Sequence, residues 1–327
     1  MTELDLKDKK ILYELDLNCR RSDSEIAKKV GLSRDSVRYR IKRLVDEEYI
    51  NYFMILINSM KLGYVWYRTY FNFQGISVKK EQEIINWLKK RVSWITKVEG
   101  SWDMNTGIFC KTIYEYRDFI NEFLEKYGND IEEYKVSSIT RFWHYHRDYF
   151  LEKKNKNTTF ALMGYSSNEE YIEEKIDKID YNILQVLLDD ARANVVDIAK
   201  KIKSTEMVVK YRIKKLVDKK VILGFRPFFN LQKLGYTYFK VHFSLRNQTK
   251  DNKEKLFSFI HNHPKTVHTT EAVGGYDLET EFQGKSNEEL YEYIREIREK
   301  FSNMIKDYDF MQYTKEEKFT YLPEMKF

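Results

Sequence analysis

A chain of 327 residues, 42% of them hydrophobic, is long enough for two or more domains with real cores. It contains no run of about 18 apolar residues, which argues against a membrane span, and its charged first stretch, MTELDLKDKK, lacks the apolar centre of a secretory signal. Two cysteines, Cys19 and Cys110, are too few for a disulfide framework or a thiolate metal site, so free thiols in a reducing cytoplasm are expected, and the net charge of +6 allows a nucleic-acid partner without demonstrating one.

In chain order, Ile11, Leu12 and Leu15 recur at helical spacing within residues 8–17. Ser22 stands three positions before Glu25, a capping-box pattern that opens a second short helix through Val30, and Gly31 stops it. Ser33 caps a third helix running to about Asp46. Three short helices with a tight turn between the last two form a helix-turn-helix pattern. Stretches rich in β-formers follow at Tyr67–Phe73, Ser93–Val98 and Met104–Thr112, with helical patterns near 79–91 and 114–127. The order strand, helix, strand, strand, helix, strand is a ferredoxin-like βαββαβ layout. Residues 151–175 are polar and predict a linker with a solvated charged face. The same order then returns, with strands near 236–245, 267–273 and 277–283 and helices near 251–262 and 286–301.

The return is a duplication. Ile26-Ala27-Lys28-Lys29 recurs as Ile198-Ala199-Lys200-Lys201, and Tyr39-Arg40-Ile41-Lys42 as Tyr211-Arg212-Ile213-Lys214, at a constant offset of 172 residues. Arg20 and Arg192 share that offset, whereas Gly100-Ser101-Trp102-Asp103 and Gly274-Gly275-Tyr276-Asp277 differ by 174. The fold class is therefore α+β, in two tandem units. Helix-turn-helix domains are expected at 1–52 and 176–224, ferredoxin-like domains at 64–150 and 236–323, and the linker at 151–175.

On the third helix, Val37, Ile41, Leu44 and Val45 fall on one stripe that must face the core. Arg34, Ser36, Arg38, Tyr39, Lys42 and Arg43 lie on the remaining face or its flanks. Arginine can pair bidentately with guanine edges, and lysine can hold phosphates, so this face suits the major groove of double-stranded DNA. In the second unit Val209, Ile213, Leu216 and Val217 preserve the stripe, and Lys210, Tyr211, Lys214 and Lys215 preserve the basic face. The base-facing start differs, with Glu206, Met207 and Val208 replacing Arg34, Asp35 and Ser36, and Lys203 replaces Gly31. The second helix is expected to contribute phosphate affinity with weaker or different base preference, unless Met207 and Val208 read thymine methyl groups.

The stretch SEIAKKVGLSRDSVRYRIKRLVDEEYINYF closely resembles the N-terminal half of Lrp/AsnC-type transcriptional regulators, and VEGSWD and AVGGYD resemble the Gly-x-x-Asp hallmark of their second domain. The resemblance covers nearly the whole chain, twice over. It implies winged-type helix-turn-helix readers, each joined by a strand to a domain that dimerises and can bind amino acids. It also implies an effector site at Gly100, Ser101 and Asp103, and at Gly274, Gly275 and Asp277. A structural hairpin turn is the competing reading of those six residues. The tandem arrangement departs from the single-unit pattern and suggests a covalent pseudo-dimer that assembles further into homo-oligomers.

Three other readings are weighed. His144-Tyr-His146 and His261-Asn-His263 lack an accompanying ligand set, so surface or strand histidines are expected, with no metal and no cofactor. Siroheme decarboxylases resemble this family, but their His-Asn-Tyr-x-Arg segment is absent: the matching stretches read WITKVEGSWDMN and VHTTEAVGGYDLE, with only His268 nearby. An enzyme is therefore not expected. A weakly specific architectural DNA-binding protein would show uniform affinity and a steep salt dependence.

Overall fold

A computed structural model describes residues 4–152 and 159–327. The first unit runs α1 (Leu6–Leu17), α2 (Asp23–Val30), α3 (Arg34–Asp46), β1 (Ile50–Ile57), β2 (Val65–Phe73), α4 (Val78–Leu88), β3 (Trp94–Gly100), β4 (Met104–Cys110), α5 (Ile113–Tyr127) and β5 (Ile131–Tyr145). After β6 (Thr159–Gly164), the second unit repeats the order as α6 (Lys178–Asp189), α7 (Val195–Lys201), α8 (Glu206–Asp218), β7 (Ile222–Phe229), β8 (Thr237–Leu245), α9 (Lys250–Asn262), β9 (Thr266–Val273), β10 (Leu278–Gly284), α10 (Asn287–Lys300) and β11 (Ile305–Phe319).

The helices start where their caps dictate. Asp5 and Asp8 form a capping box at α1, and Asp177 and Asp180 form its copy at α6. Ser22 and Glu25 form another at α2, while Ser33 accepts the Ser36 N–H at the head of α3. Gly31 ends α2 in the left-handed region at φ 66°, and Lys203 occupies the matching position at φ 54° without glycine's freedom. Val37, Ile41 and Leu44 are buried as expected, with Val45 partly covered. In α8 the stripe is narrower: Val209 and Leu216 are buried, Ile213 is partly covered and Val217 is 40% exposed. Leu216 takes the core position in the last turn and leaves its neighbour facing solvent.

The helical modules are joined by an antiparallel ribbon of β1 and β7, in register Phe53 with Pro227 and Ile55 with Phe225. The links around it are reciprocal. The Cys19 N–H donates to Phe225 O at 2.9 Å and the Ala191 N–H to Phe53 O at 3.0 Å. Likewise the Asn58 N–H reaches Val221 O at 2.9 Å and the Asn230 N–H reaches Tyr49 O at 3.1 Å. Both pairs exchange under the sequence repeat, as a two-fold interface requires.

The remaining strands close a ring. β2, β4, β3, β11, β8, β10, β9 and β5 pair in that order, and β5 returns to β2. β5 crosses between units, pairing with β2 over Ile131–Ile139 and with β9 over Ser138–His144. β11 does the same with β8 and β3. Side chains alternate across each strand. Tyr67 and Phe71 of β2 pack outward against α4 and α5, around Ile84, Leu88 and Phe123. Trp66, Arg68 and Tyr70 point into the ring and are almost fully buried.

The expected linker is only partly a linker. Residues 153–158 of it lie outside the described residues. Thr159–Gly164 is a strand on the outer half of β5, pairing Phe142 with Met163 and Arg141 with Gly164. Asn58 clamps that strand through Gly164, its side chain donating to Gly164 O at 3.0 Å and accepting the Gly164 N–H at 2.9 Å. The acidic run beyond is not merely solvated: Glu169 pairs with Lys61 at 2.6 Å and Glu174 with Lys219. The apolar core of TFALMG, flanked by polar runs, has a strand's composition that its surroundings disguise.

Candidate nucleic-acid interface

The start and outer face of α3 stand clear of the protein. Arg34, Arg38 and Lys42 are exposed, Tyr39 is 67% exposed and Ser36 is half-buried. The Ser36 hydroxyl accepts from Ser33 Oγ at 2.8 Å. Arg38 leans on Asp23 at 3.2 Å and Lys42 on Asp46 at 2.5 Å, both in solvent, where such pairs are weak and exchange readily for phosphate. Arg43 turns inward to the buried Asp8 carboxylate at 2.6 Å, so it braces α3 on α1. On α8, Lys210, Tyr211 and Lys214 are exposed, Lys215 is half-buried, and Met207 is 81% exposed in the first turn.

The two modules meet near the heads of α2 and α7. Arg34 shares one concave surface there with Arg20, Arg21 and Arg192. Arg20 Nη1 donates to Ala191 O at 2.7 Å and Ala193 O at 2.9 Å. Arg192 Nη1 donates to Cys19 O at 2.5 Å, and its Nη2 to Asp23 Oδ1 at 3.0 Å. The guanidiniums thus set the relative position of α3 and α8.

The Gly-x-x-Asp turns lie deeper, on the seam of the ring. Asp103 Oδ2 accepts the Phe73 N–H at 2.8 Å, and Asp277 Oδ2 accepts the Leu245 N–H at 2.7 Å. Gly100 has φ 126°, and a Cβ there would stand 2.7 Å from Phe310 O of the crossing strand. Gly274 and Gly275 also take positive φ, at 76° and 64°. Ser101 Oγ donates to Asp309 Oδ1 at 2.8 Å. The residues between glycine and aspartate meet across the seam: Trp102 Nε1 donates to Tyr276 Oη at 2.9 Å.

Inside the ring is a charged network. Arg68 Nη1 reaches Glu279 Oε2 at 2.7 Å, and Lys240 Nζ lies 3.0 Å from Glu279 and 3.1 Å from Glu281. Tyr70 donates to Glu279 at 2.5 Å, and Tyr238 donates to Glu281. Burial alone would raise the Glu279 pKa, but the Lys240 and Arg68 charges override it and hold it down at about 2. His268 Nδ1 lies 2.7 Å from Glu281, yet burial outweighs that partner and brings its pKa down to about 4. Nearer the helical modules, the buried Asp16 accepts from Arg147 at 2.7 Å and Arg226 at 2.5 Å.

Among the described residues, no group of three or more His, Cys, Asp or Glu could hold a metal ion. From the sequence, surface or strand histidines are expected. His144 is on a strand but is buried, 4.8 Å from His268 between ring centroids, because β5 crosses to the second unit and turns that side chain inward. His261 lies near the end of α9 and His263 caps it. These two are half-buried at a helix end and on no strand.

Residues 4–45 match the AsnC-type helix-turn-helix domain, and residues 176–222 match a winged helix-turn-helix DNA-binding domain. The chain is 29% identical over 151 residues to an HTH-type transcriptional regulator of Pyrococcus furiosus, covering 98% of that protein and 44% of this one. It is 31% identical over 150 residues to an HTH-type transcriptional regulator of Pyrococcus horikoshii, covering 92% of that protein and 44% of this one. The chain belongs to the Lrp/AsnC family. This Lrp/AsnC chain is a DNA-binding transcriptional regulator, and each of these relatives matches less than half of it. Across almost its whole length, the Lrp/AsnC chain shares its fold with the siroheme decarboxylase NirDL: the TM-score is 0.64 at 15% identity, over 98% of this chain and 94% of that one.

Sequence reasoning on this Lrp/AsnC protein recognised Arg20 and Arg192 as a repeat pair without their cross-module role, and passed over Arg68, Lys240, Glu279 and Glu281. A signal was available. TYFKVHFSL and LETEFQG set charges at alternate positions of otherwise strand-like segments, with no solvent face left to receive them.

Proposed function

We propose that this regulator binds specific DNA sites with one chain standing in for a two-fold dimer, α3 serving as the principal base reader and α8 chiefly as a phosphate holder. The observation that carries this is the reciprocal joining of the modules through the β1–β7 ribbon and the Arg20 and Arg192 contacts, which hold two recognition helices in one fixed relation. Arg34, Ser36, Arg38, Tyr39 and Lys42 form the first contact face, with Lys210, Tyr211, Lys214 and Lys215 forming the second. Unequal helices predict an unequal site, with one well-specified half and one tolerant half. Further association of chains into homo-oligomers, and action in the cytoplasm, accord with this role.

Selection of binding sites from random duplex, followed by footprinting, tests the reading. An asymmetric enriched motif supports it. Equal affinity for all sequences with a steep salt dependence would instead mark an architectural protein.

Amino-acid control through Gly100, Ser101 and Asp103, and through Gly274, Gly275 and Asp277, would act at the seam where β11 and β5 cross between units. Both aspartates are engaged with backbone N–H groups there. An effector bound at these turns would therefore work by rearranging the seam.

A further inference from the structure

We infer that the interior of the strand ring contains one asymmetric site for a single small carboxylate with an apolar or aromatic body. A cavity of about 80 Å³ lies between the ring and the β1–β7 ribbon. Since roughly 10–15 Å³ of such space holds one water, it can take a small organic molecule but not a macrocycle.

The walls differ in chemistry according to the unit that supplies them. Strand register identifies the counterparts: Arg68 pairs with Gly107 where Lys240 pairs with Glu281, and Trp94 pairs with Gly107 where His268 pairs with Glu281. Trp66, Trp94 and Met54 of the first unit give an apolar wall. The second unit sets Tyr238, His268 and Arg226 at the same places. Arg147 adds a further guanidinium from β5's C-terminal side. A two-fold interior would offer two equal half-sites, whereas this one offers a single site with a charged end and an aromatic end.

Three residues lining this space carry a buried polar atom without a hydrogen-bond partner among the described residues: His144 Nδ1, Arg68 Nε and Trp66 Nε1, on side chains no more than 2% exposed. Buried polar atoms are nearly always satisfied, and an interior site leaving such groups open is the usual signature of a missing ligand or water. Arg68, Arg147 and Arg226 line the cavity with Glu281 and Glu316; Arg68 also pairs with Glu279, and Arg147 and Arg226 share the Asp16 carboxylate, so a bound carboxylate would join guanidiniums that already hold acidic partners. Of the five charged residues that line it, Glu316 has the most solvent-accessible surface, which places it towards the open side, yet its carboxyl sits deep enough among its neighbours for burial to raise its pKa to about 8. Guanidinium geometry selects a carboxylate at the charged end, and the indole faces select an apolar body.

The test uses the full chain without DNA, so its result is independent of the DNA-reading proposal. Calorimetric titration with acetate, propionate and benzoate should give saturable binding at one molecule per chain, tightest for benzoate, with benzamide at least tenfold weaker. Arg226→Met, which installs the first unit's residue, should weaken benzoate at least tenfold. His144→Phe keeps the ring and should weaken it several-fold, and serves if Arg226→Met fails to fold. Absence of binding for all three acids at millimolar concentration would overturn the site. So would binding indifferent to both substitutions, or two molecules per chain abolished by Asp103→Asn and Asp277→Asn, which would place the ligand at the turns.

Discussion

Arg20 and Arg192 each cap the backbone of the other's helical module, although 172 positions separate them in the chain. Arg20 donates to Ala191 O and Ala193 O, and Arg192 to Cys19 O. Charge-assisted hydrogen bonds to partly buried carbonyls contribute about 1.5–3 kcal/mol. Arg20→Ala and Arg192→Ala should each lower unfolding stability by about that amount in urea titrations, and should couple non-additively when combined. The double variant should also lose affinity for a full DNA site while each module keeps its fold. Unchanged stability in either single variant would refute the role given to these residues.

Lys203 holds a left-handed conformation that Gly31 holds in the first module. The strain on a side chain there is about 1 kcal/mol, offset in part by glycine's larger unfolded entropy. Lys203→Gly should therefore stabilise the protein by about 0.5 kcal/mol at most, and Gly31→Ala should destabilise it by a similar amount. Thermal unfolding would reveal either shift, and a lower midpoint for Lys203→Gly would contradict the argument.

Base reading and phosphate holding are separable. Arg34→Ala with Ser36→Ala should reduce discrimination between the selected site and a mismatched one by about 1–3 kcal/mol. Lys210→Ala with Lys214→Ala should weaken all sequences alike and reduce the salt slope by about one per lysine. Competition binding at several salt concentrations distinguishes these outcomes. If the lysine pair changed preference and the α3 pair did not, the assignment of the two helices would be reversed.

Acid should act on the interior in two stages. Burial brings the His268 pKa down from 6.5 to about 4, so the unfolded chain takes up that proton first as pH falls. His144 and His242 shift downward for the same leading reason. These histidines should thus cost stability as pH drops from 6.5 toward 4, whereas burial raises the Glu316 carboxyl to about 8, so the folded chain takes up that proton first and gains stability over much of the same range. Glu279 is held below its ordinary 4.5, at about 2, so its contribution is present above 4.5 and is lost between those values. Urea midpoints should fall in the lower window, and in the upper one His268→Gln should lose less stability on acidification than the unaltered protein. Parallel pH profiles for the unaltered protein and His268→Gln between about pH 7 and pH 4 would count against the burial argument.

Much of this was legible in the sequence, and the reasons are physical. Helical period and caps are local, so α1–α3 and their copies could be read from Ile11, Ser22, Gly31 and Ser33 alone. The 172-residue offset announced the duplication. What escaped was everything decided by closure of the ring. β5 and β11 each serve two units, and no local pattern says that a strand continues onto another sheet. Arg68, Lys240 and Glu279 were passed over because each needs partners remote in sequence. Arg43 looked like a DNA contact for a similar reason: its partner, Asp8, lies on another helix. Val217 shows the opposite error, an apolar residue assigned to the core when the last turn exposes it.

The placement of Glu279 and Glu281 makes the two units complementary in charge and no longer interchangeable. Both carboxylates come from the second unit, while the first contributes Arg68 and has Asn105 and Gly107 at the matching strand positions. Two first units closed into a ring would bury two guanidiniums with no acid between them, and two second units would bury four carboxylates against two lysines. Either costs several kcal/mol per unmatched charge. Halves expressed separately should therefore prefer each other to a second copy of themselves.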